Sequence, residues 1–245
     1  GVQTCALPIS VIFSAMWTIC KKEWNQFFSG LSGYIAIVLF LLVNGVFLFI
    51  LNDNILDSGF ATLDPFFSLA PWVLTFLIPA LSMRTLTDEY RSGTLEILAT
   101  KPISRLHIIL GKYLAILLIL LLVLILTGTY VVTISTLSDT PLDLGAIAGS
   151  YLGLFLLGAA FASISVCFSS FTHNAIVAFL VSAAACLLMY FGCVSISSLP
   201  VFSGGADYYI DMFGIDFHYR SISRGVIDTR DLLYFFSLIF LFLFI

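Results

Sequence analysis

The sequence predicts an all-α polytopic membrane protein of six spans, the sixth cut short, and three observations predict it. Of its 245 residues 60% are apolar and 10% charged, with a mean hydropathy of +1.11, far from the roughly half-apolar, quarter-charged balance of a soluble domain. Five stretches, 33–51, 66–83, 113–134, 144–168 and 175–197, contain no Asp, Glu, Lys, Arg or His. A helix of about 20 such residues crosses the hydrocarbon core because it satisfies every backbone N–H and C=O within itself. Between the second and third stretches lies a polar island, 84–112, holding five of the ten Lys and Arg residues.

Residues 1–15 precede Met16 and carry no basic n-region, so they read as a non-native leader rather than a signal peptide. From Met16 the apolar positions Trp17, Cys20, Trp24, Phe27, Phe28 and Leu31 recur at helical spacing, while Lys21, Lys22, Asn25 and Gln26 fall elsewhere. That pattern fits a helix in the inner membrane interface, or else the cytosolic extension of the first span. Asn44 and Gly45 interrupt the first span, with Asn44 expected as interhelical glue. Pro71 and Pro79 are expected to kink or break the second.

The island divides at its breakers. Arg91-Ser92-Gly93 is a turn signal, 94–100 spans two helical turns, and Pro102 biases Lys101 away from helix. Ser104 is placed to cap the helix of the third span. The apolar set Leu95, Ile97, Leu98, Ile103 and Leu106 lies among the charges, which a solvated loop does not need. In the fourth span, Gly149 and Gly153, followed by Gly158 and Ala162 at the same spacing, mark a face for close helix approach, to a second subunit in the sharper reading and by chance in the blander one. The segment 199–231 alternates aromatic residues with Asp207, Asp211 and Asp216, which fits an interface-lying lid or a structural cap. Asp228-Thr229-Arg230-Asp231 then reads as the cap of a sixth span, 232–245.

Orientation follows the cations. With the N-terminal segment and the even-numbered loops inside, that side holds seven Lys/Arg against four acids, and the outer side three against ten. The positive-inside rule selects this arrangement. The acidic balance carries no implication of nucleic-acid binding.

The run 89–112, with Gly93-Thr94-Leu95-Glu96, Lys101-Pro102-Ile103-Ser104 and Gly111-Lys112-Tyr113, resembles the permeases of type 2 ABC exporters. Asn54-Ile55-Leu56-Asp57-Ser58-Gly59-Phe60-Ala61, Leu69-Ala70-Pro71-Trp72 and 221–231 are similar to the gliding-motility-associated permeases among them, and the likeness runs from Met16 to the end. The resemblance implies a type 2 transmembrane domain over 16–245, with 84–112 as the cytosolic coupling segment and 199–231 outside. It implies a bacterial inner-membrane location with the N-terminus in the cytosol. It also implies a second permease, identical or different, an auxiliary membrane subunit, and a separate cytosolic ABC ATPase that binds ATP and Mg. Residues expected to meet that ATPase are Glu89, Arg91, Gly93, Thr94, Leu95, Glu96 and Leu98.

The residues themselves agree on the division of labour. No G-x-x-x-x-G-K-[ST] occurs, so Gly111-Lys112 is not a phosphate loop, and energy has to come from a partner. The three histidines are scattered and read as interfacial residues, and the five cysteines include no C-x-x-C. No cofactor, metal or catalytic residue is expected. A channel or secondary transporter would carry ionisable groups within its spans. A scaffold protein of a motility or secretion complex is the alternative to the permease.

Overall fold

Uncharged apolar runs of this length can close their backbone hydrogen bonds in lipid only as helices, and the helices are where the runs put them. The computed structural model describes residues 9–51, 62–93, 105–138, 142–199 and 205–245. These form α1 (Ile9–Ser29), α2 (Leu31–Phe49), α3 (Asp64–Ser92), α4 (Arg105–Leu137), α5 (Leu144–Ser170), α6 (Ala175–Ser197), α7 (Ala206–Met212), α8 (Ile215–Ile222) and α9 (Thr229–Phe244). Helices α3 to α6 are each long and apolar enough to cross a membrane, and α1 with α2 qualifies only as a pair bent by 75°. The described residues therefore give four spans, or five with that pair, short of the six expected. At 16 residues α9 is about 24 Å long, shorter than the roughly 30 Å hydrocarbon core.

The centre of the bundle is α5, which packs against α3, α4, α6, α8 and α9. Its run of Gly, Ala and Ser lets neighbouring backbones come close. Around it the fully buried Phe40, Phe66, Leu74, Ile116, Leu157 and Phe235 join α2, α3, α4, α5 and α9 into one core. Helix α1 does not extend the first span in a straight line. It turns across the base of the bundle and lies on α4, where a Cβ on Gly111 would stand 3.0 Å from the Met16 carbonyl oxygen. The bend itself is close-packed: a Cβ on Gly33 would lie 2.5 Å from the Phe27 carbonyl oxygen.

Neither expected site breaks its helix. Helix α2 runs unbroken through Asn44 and Gly45. The Asn44 side chain, buried, donates to the Phe40 carbonyl of its own helix at 2.8 Å rather than to a neighbour. Gly45 leaves room for Tyr130, whose hydroxyl donates to Leu41 O at 2.5 Å. Helix α3 likewise continues through Pro71 and Pro79.

Pro71 has no N–H, so the carbonyl of Phe67, four residues earlier, loses its helical donor. Tyr219 of α8 supplies one, its hydroxyl reaching Phe67 O at 2.7 Å while buried. Burial first, and the charge of Asp216 second, hold the Tyr219 phenol well above its usual range, so the group stays a donor. Tyr219→Phe is expected to lower unfolding free energy in mixed micelles by about 1–3 kcal/mol. The loss should shrink in a Pro71→Ala background, where an N–H is restored, and a double-mutant cycle measures the difference.

Within the segment expected as a lid or a structural cap, α8 is a wedge, while Tyr208, Tyr209 and Phe213 beside it are exposed. Ile215, His218, Tyr219 and Ile222 of α8 are buried against α5, α6 and α9. His218, expected as an interfacial residue, stacks on Tyr234 at 4.0 Å between ring centroids. Its Nδ1 lies 2.7 Å from Asp231 Oδ1 and its Nε2 lies 3.0 Å from Met212 O. Asp228 caps α9, accepting from the Arg230 N–H at 3.1 Å. Arg220 pairs with Asp216 on its own helix.

Candidate functional site at the basic end of the helices

Charged residues cannot be carried into the hydrocarbon without a partner, and the polar island shows how this chain handles them. With 29 and 33 residues, α3 and α4 are about 44 and 50 Å long and outrun the hydrocarbon core. Both project at the same end. Residues 84–92 continue α3 and 105–112 open α4, so much of the island is rigid helix continuous with the spans. Gly93 ends α3 with φ +65, the left-handed step that glycine takes without a Cβ penalty.

Where the two projections emerge, four charges meet. Lys112 is completely buried, and its Nζ lies 2.8 Å from Glu23 Oε1 of α1 and 3.0 Å from Glu89 Oε1 of α3. It also donates to the carbonyl oxygen of Thr85. The half-exposed Lys22 reaches the same Glu89 oxygen at 3.1 Å. Two cations and two anions cancel in charge, and protein oxygens from Glu23, Glu89 and Thr85 take the place of water around the Lys112 ammonium. The cluster ties α1, α3 and α4 together, and removing any one member leaves an uncompensated charge in a low-dielectric site.

The expected contact residues distribute unevenly around this clamp. Glu89, expected to orient an ATPase from the rim, instead turns its carboxylate inward, with the residue only 6% exposed. The partner geometry explains the difference, since Glu89 Oε1 is shared by the Lys112 and Lys22 ammonium groups, whose charge-assisted contacts draw the carboxylate inward. The backbone of Arg91 belongs to the last turn of α3 and Gly93 follows it, exposed. The Arg91 side chain, Thr94, Leu95, Glu96 and Leu98 lie outside the described residues, as does the expected cap Ser104. Sequence reasoning missed Lys22, Glu23 and Thr85. The available signal was Lys112 itself, directly before an apolar run and beside a glycine, where an ammonium group needs a nearby carboxylate.

The small residues of α5 are occupied within the chain. A Cβ on Gly149 would stand 3.1 Å from the Gly225 backbone, one on Gly153 would stand 2.7 Å from Ile222, and one on Gly158 would stand 2.5 Å from Leu120 of α4. Ala162 is completely buried. The first pair thus receives α8 and its following turn, and the sharper expectation of a contact with a second subunit is corrected for that face. Among the described residues no group of three or more His, Cys, Asp or Glu is placed to hold a metal ion.

A bundle of membrane-crossing helices, two of which project as charged helical arms clamped by a third, defines a multi-pass membrane component. The chain belongs to the ABC-2 transporter family: the family model described as ABC-2 family transporter protein matches residues 17–204. Members of this family are the membrane components of ABC transporters. The matched region includes all four residues of the clamp and the whole segment between the two arms. A search of the curated proteins finds no match.

Proposed function

We propose that this chain is the permease subunit of an ATP-driven ABC exporter of the gliding-motility-associated GldF type, and that the segment between α3 and α4 receives a separate cytosolic ATPase. The observation that carries this reading is the clamp. Force applied to 93–105 would enter two continuous helices, and the Lys112 cluster would make α1 move with them. Electrostatics supports the orientation, because the arms carry the cations that the positive-inside rule keeps in the cytosol. On that rule the N-terminus lies in the cytosol, and the likeness to the gliding-motility permeases supports a bacterial inner membrane. Leu95 and Leu98 would supply apolar contact, with Arg91 and Glu96 at the rim setting register and encounter rate more than affinity. A second permease, a copy or a different subunit, completes the proposed assembly, with ATP and Mg bound by the ATPase.

Glu96→Arg and Gly93→Pro are each expected to leave membrane insertion intact and release the ATPase on co-purification, with loss of permease-stimulated hydrolysis. Retention of both by the two variants would refute the assignment. Cysteines placed at Ser92 and Thr100 should react with an impermeant maleimide from the cytosolic side alone. ATP-dependent movement of a candidate substrate in vesicles separates a transporter from a scaffold.

A further inference from the structure

Glu23 of the clamp, with Thr85 beside it, lines one side of an open cavity of about 210 Å³ between α1, α2, α3 and α4. One small residue from each of α2, α3 and α4, Ala36, Ala80 and Ala115, opens the space, and Phe27, Met83 and Ile119 contribute to its apolar surface. Its exposed lining residues, which set the mouth, are Gln26, Arg84 and Asp88. From Ala80 to Asp88 the cavity follows α3 for about 12 Å at 1.5 Å per residue. It therefore reaches from the polar ends of the helices into the hydrocarbon layer of a single leaflet.

Charge at the mouth favours an anion. Glu23 is committed to Lys112, and Asp88 has an interaction of its own. Arg84, by contrast, makes no ion pair among the described residues, and the exposed Lys21 lies on the adjoining helix. Water does not suit the interior, because an ordered water needs two to four polar partners, and the deep wall is alanine, isoleucine and phenylalanine. The solvent that meets such a cavity in a bilayer is an acyl chain.

We propose that this cavity holds one acyl chain of an anionic phospholipid, with the lipid phosphate on the Arg84 guanidinium. The occupant wedges between α1 and α3 against Glu23, so the lipid braces the 75° bend. This holds whichever side of the membrane the basic end faces, and it does not depend on a partner ATPase.

The test is lipid retention by the full chain, purified from mixed micelles of phosphatidylglycerol and phosphatidylcholine with identical chains, then washed with lipid-free detergent and quantified by mass spectrometry. About one phosphatidylglycerol per chain is expected, retained roughly fivefold over phosphatidylcholine, the factor that about 1 kcal/mol for one cation near an anionic lipid gives. Arg84→Gln should remove the preference and Arg84→Lys should keep it. Ala115→Phe or, independently, Ala80→Leu should abolish retention of both lipids in protein that still elutes as folded. Inorganic phosphate should not compete. Equal retention of the two lipids by the parent chain would overturn the headgroup assignment. Parental retention in a folded cavity-filling variant, or displacement by inorganic phosphate, would overturn the acyl-chain site.

Discussion

Replacing Lys112 by methionine is expected to lower the unfolding free energy by about 3–5 kcal/mol, the range for breaking a buried ion pair from one side. The substitution keeps the stem volume and removes the ammonium group, so Glu23 loses its cation and Glu89 keeps only the half-exposed Lys22. Adding Glu23→Gln and Glu89→Gln should recover more than half of the loss, because neutral amides tolerate the site far better than uncompensated carboxylates. Reversible unfolding in mixed micelles measures both variants. A second readout is Cys20 on α1, 1% exposed in the parent. It should become reactive to maleimide in Lys112→Met, because α1 is held to α4 through this cluster. A Lys112→Met protein of parental stability with Cys20 still protected would show that the four charges do not hold the arms together.

The second large effect is expected at Gly225. Its φ is +81, and a Cβ there would stand 2.6 Å from the Cα of Ala146 and 2.8 Å from its Cβ. Gly225→Ala combines a left-handed backbone, about 1–2 kcal/mol for a residue with a Cβ, with overpacking against backbone, about 1–3 kcal/mol. A loss of roughly 2–5 kcal/mol follows. Gly93→Ala has the same sign of φ but nothing within 4 Å of the added carbon, so only the conformational part applies. In Gly225→Ala the turn after α8 should lift from α5, breaking the 2.8 Å bond from Ser150 Oγ to Ser223 O. Trypsin cutting at the exposed Arg224 reports that opening, and unchanged cleavage with parental stability would contradict the close contact.

What was legible in the sequence was the part that hydrophobic length controls. The apolar runs located α2 to α6, Gly93 marked the end of an arm, and Asp228 marked the start of α9. Contacts between distant positions were not legible, because helices that are apolar nearly all round carry no stripe to say which face meets which neighbour. Glu23 and Lys112 are 89 positions apart and Tyr219 and Phe67 are 152 apart, and local pattern constrains neither pairing. For the same reason the glycines of α5 could be recognised as sites of close approach while their occupant could not. In the proline case the missing N–H of Pro71 was visible, but not which neighbour replaces it: the tyrosine lies in a segment read as a lid or a structural cap.

That tyrosine gives α3 a particular mechanical character. One rod carries the Phe67 carbonyl, fastened to the wedge, and the Glu89 carboxylate, fastened to the arms, 22 residues or about 33 Å apart. Because both anchorages are directional bonds on a single shaft, twisting one extremity loads the other with torque. If the proposed ATPase turns the arms, α3 would carry that turn to the far side of the bilayer.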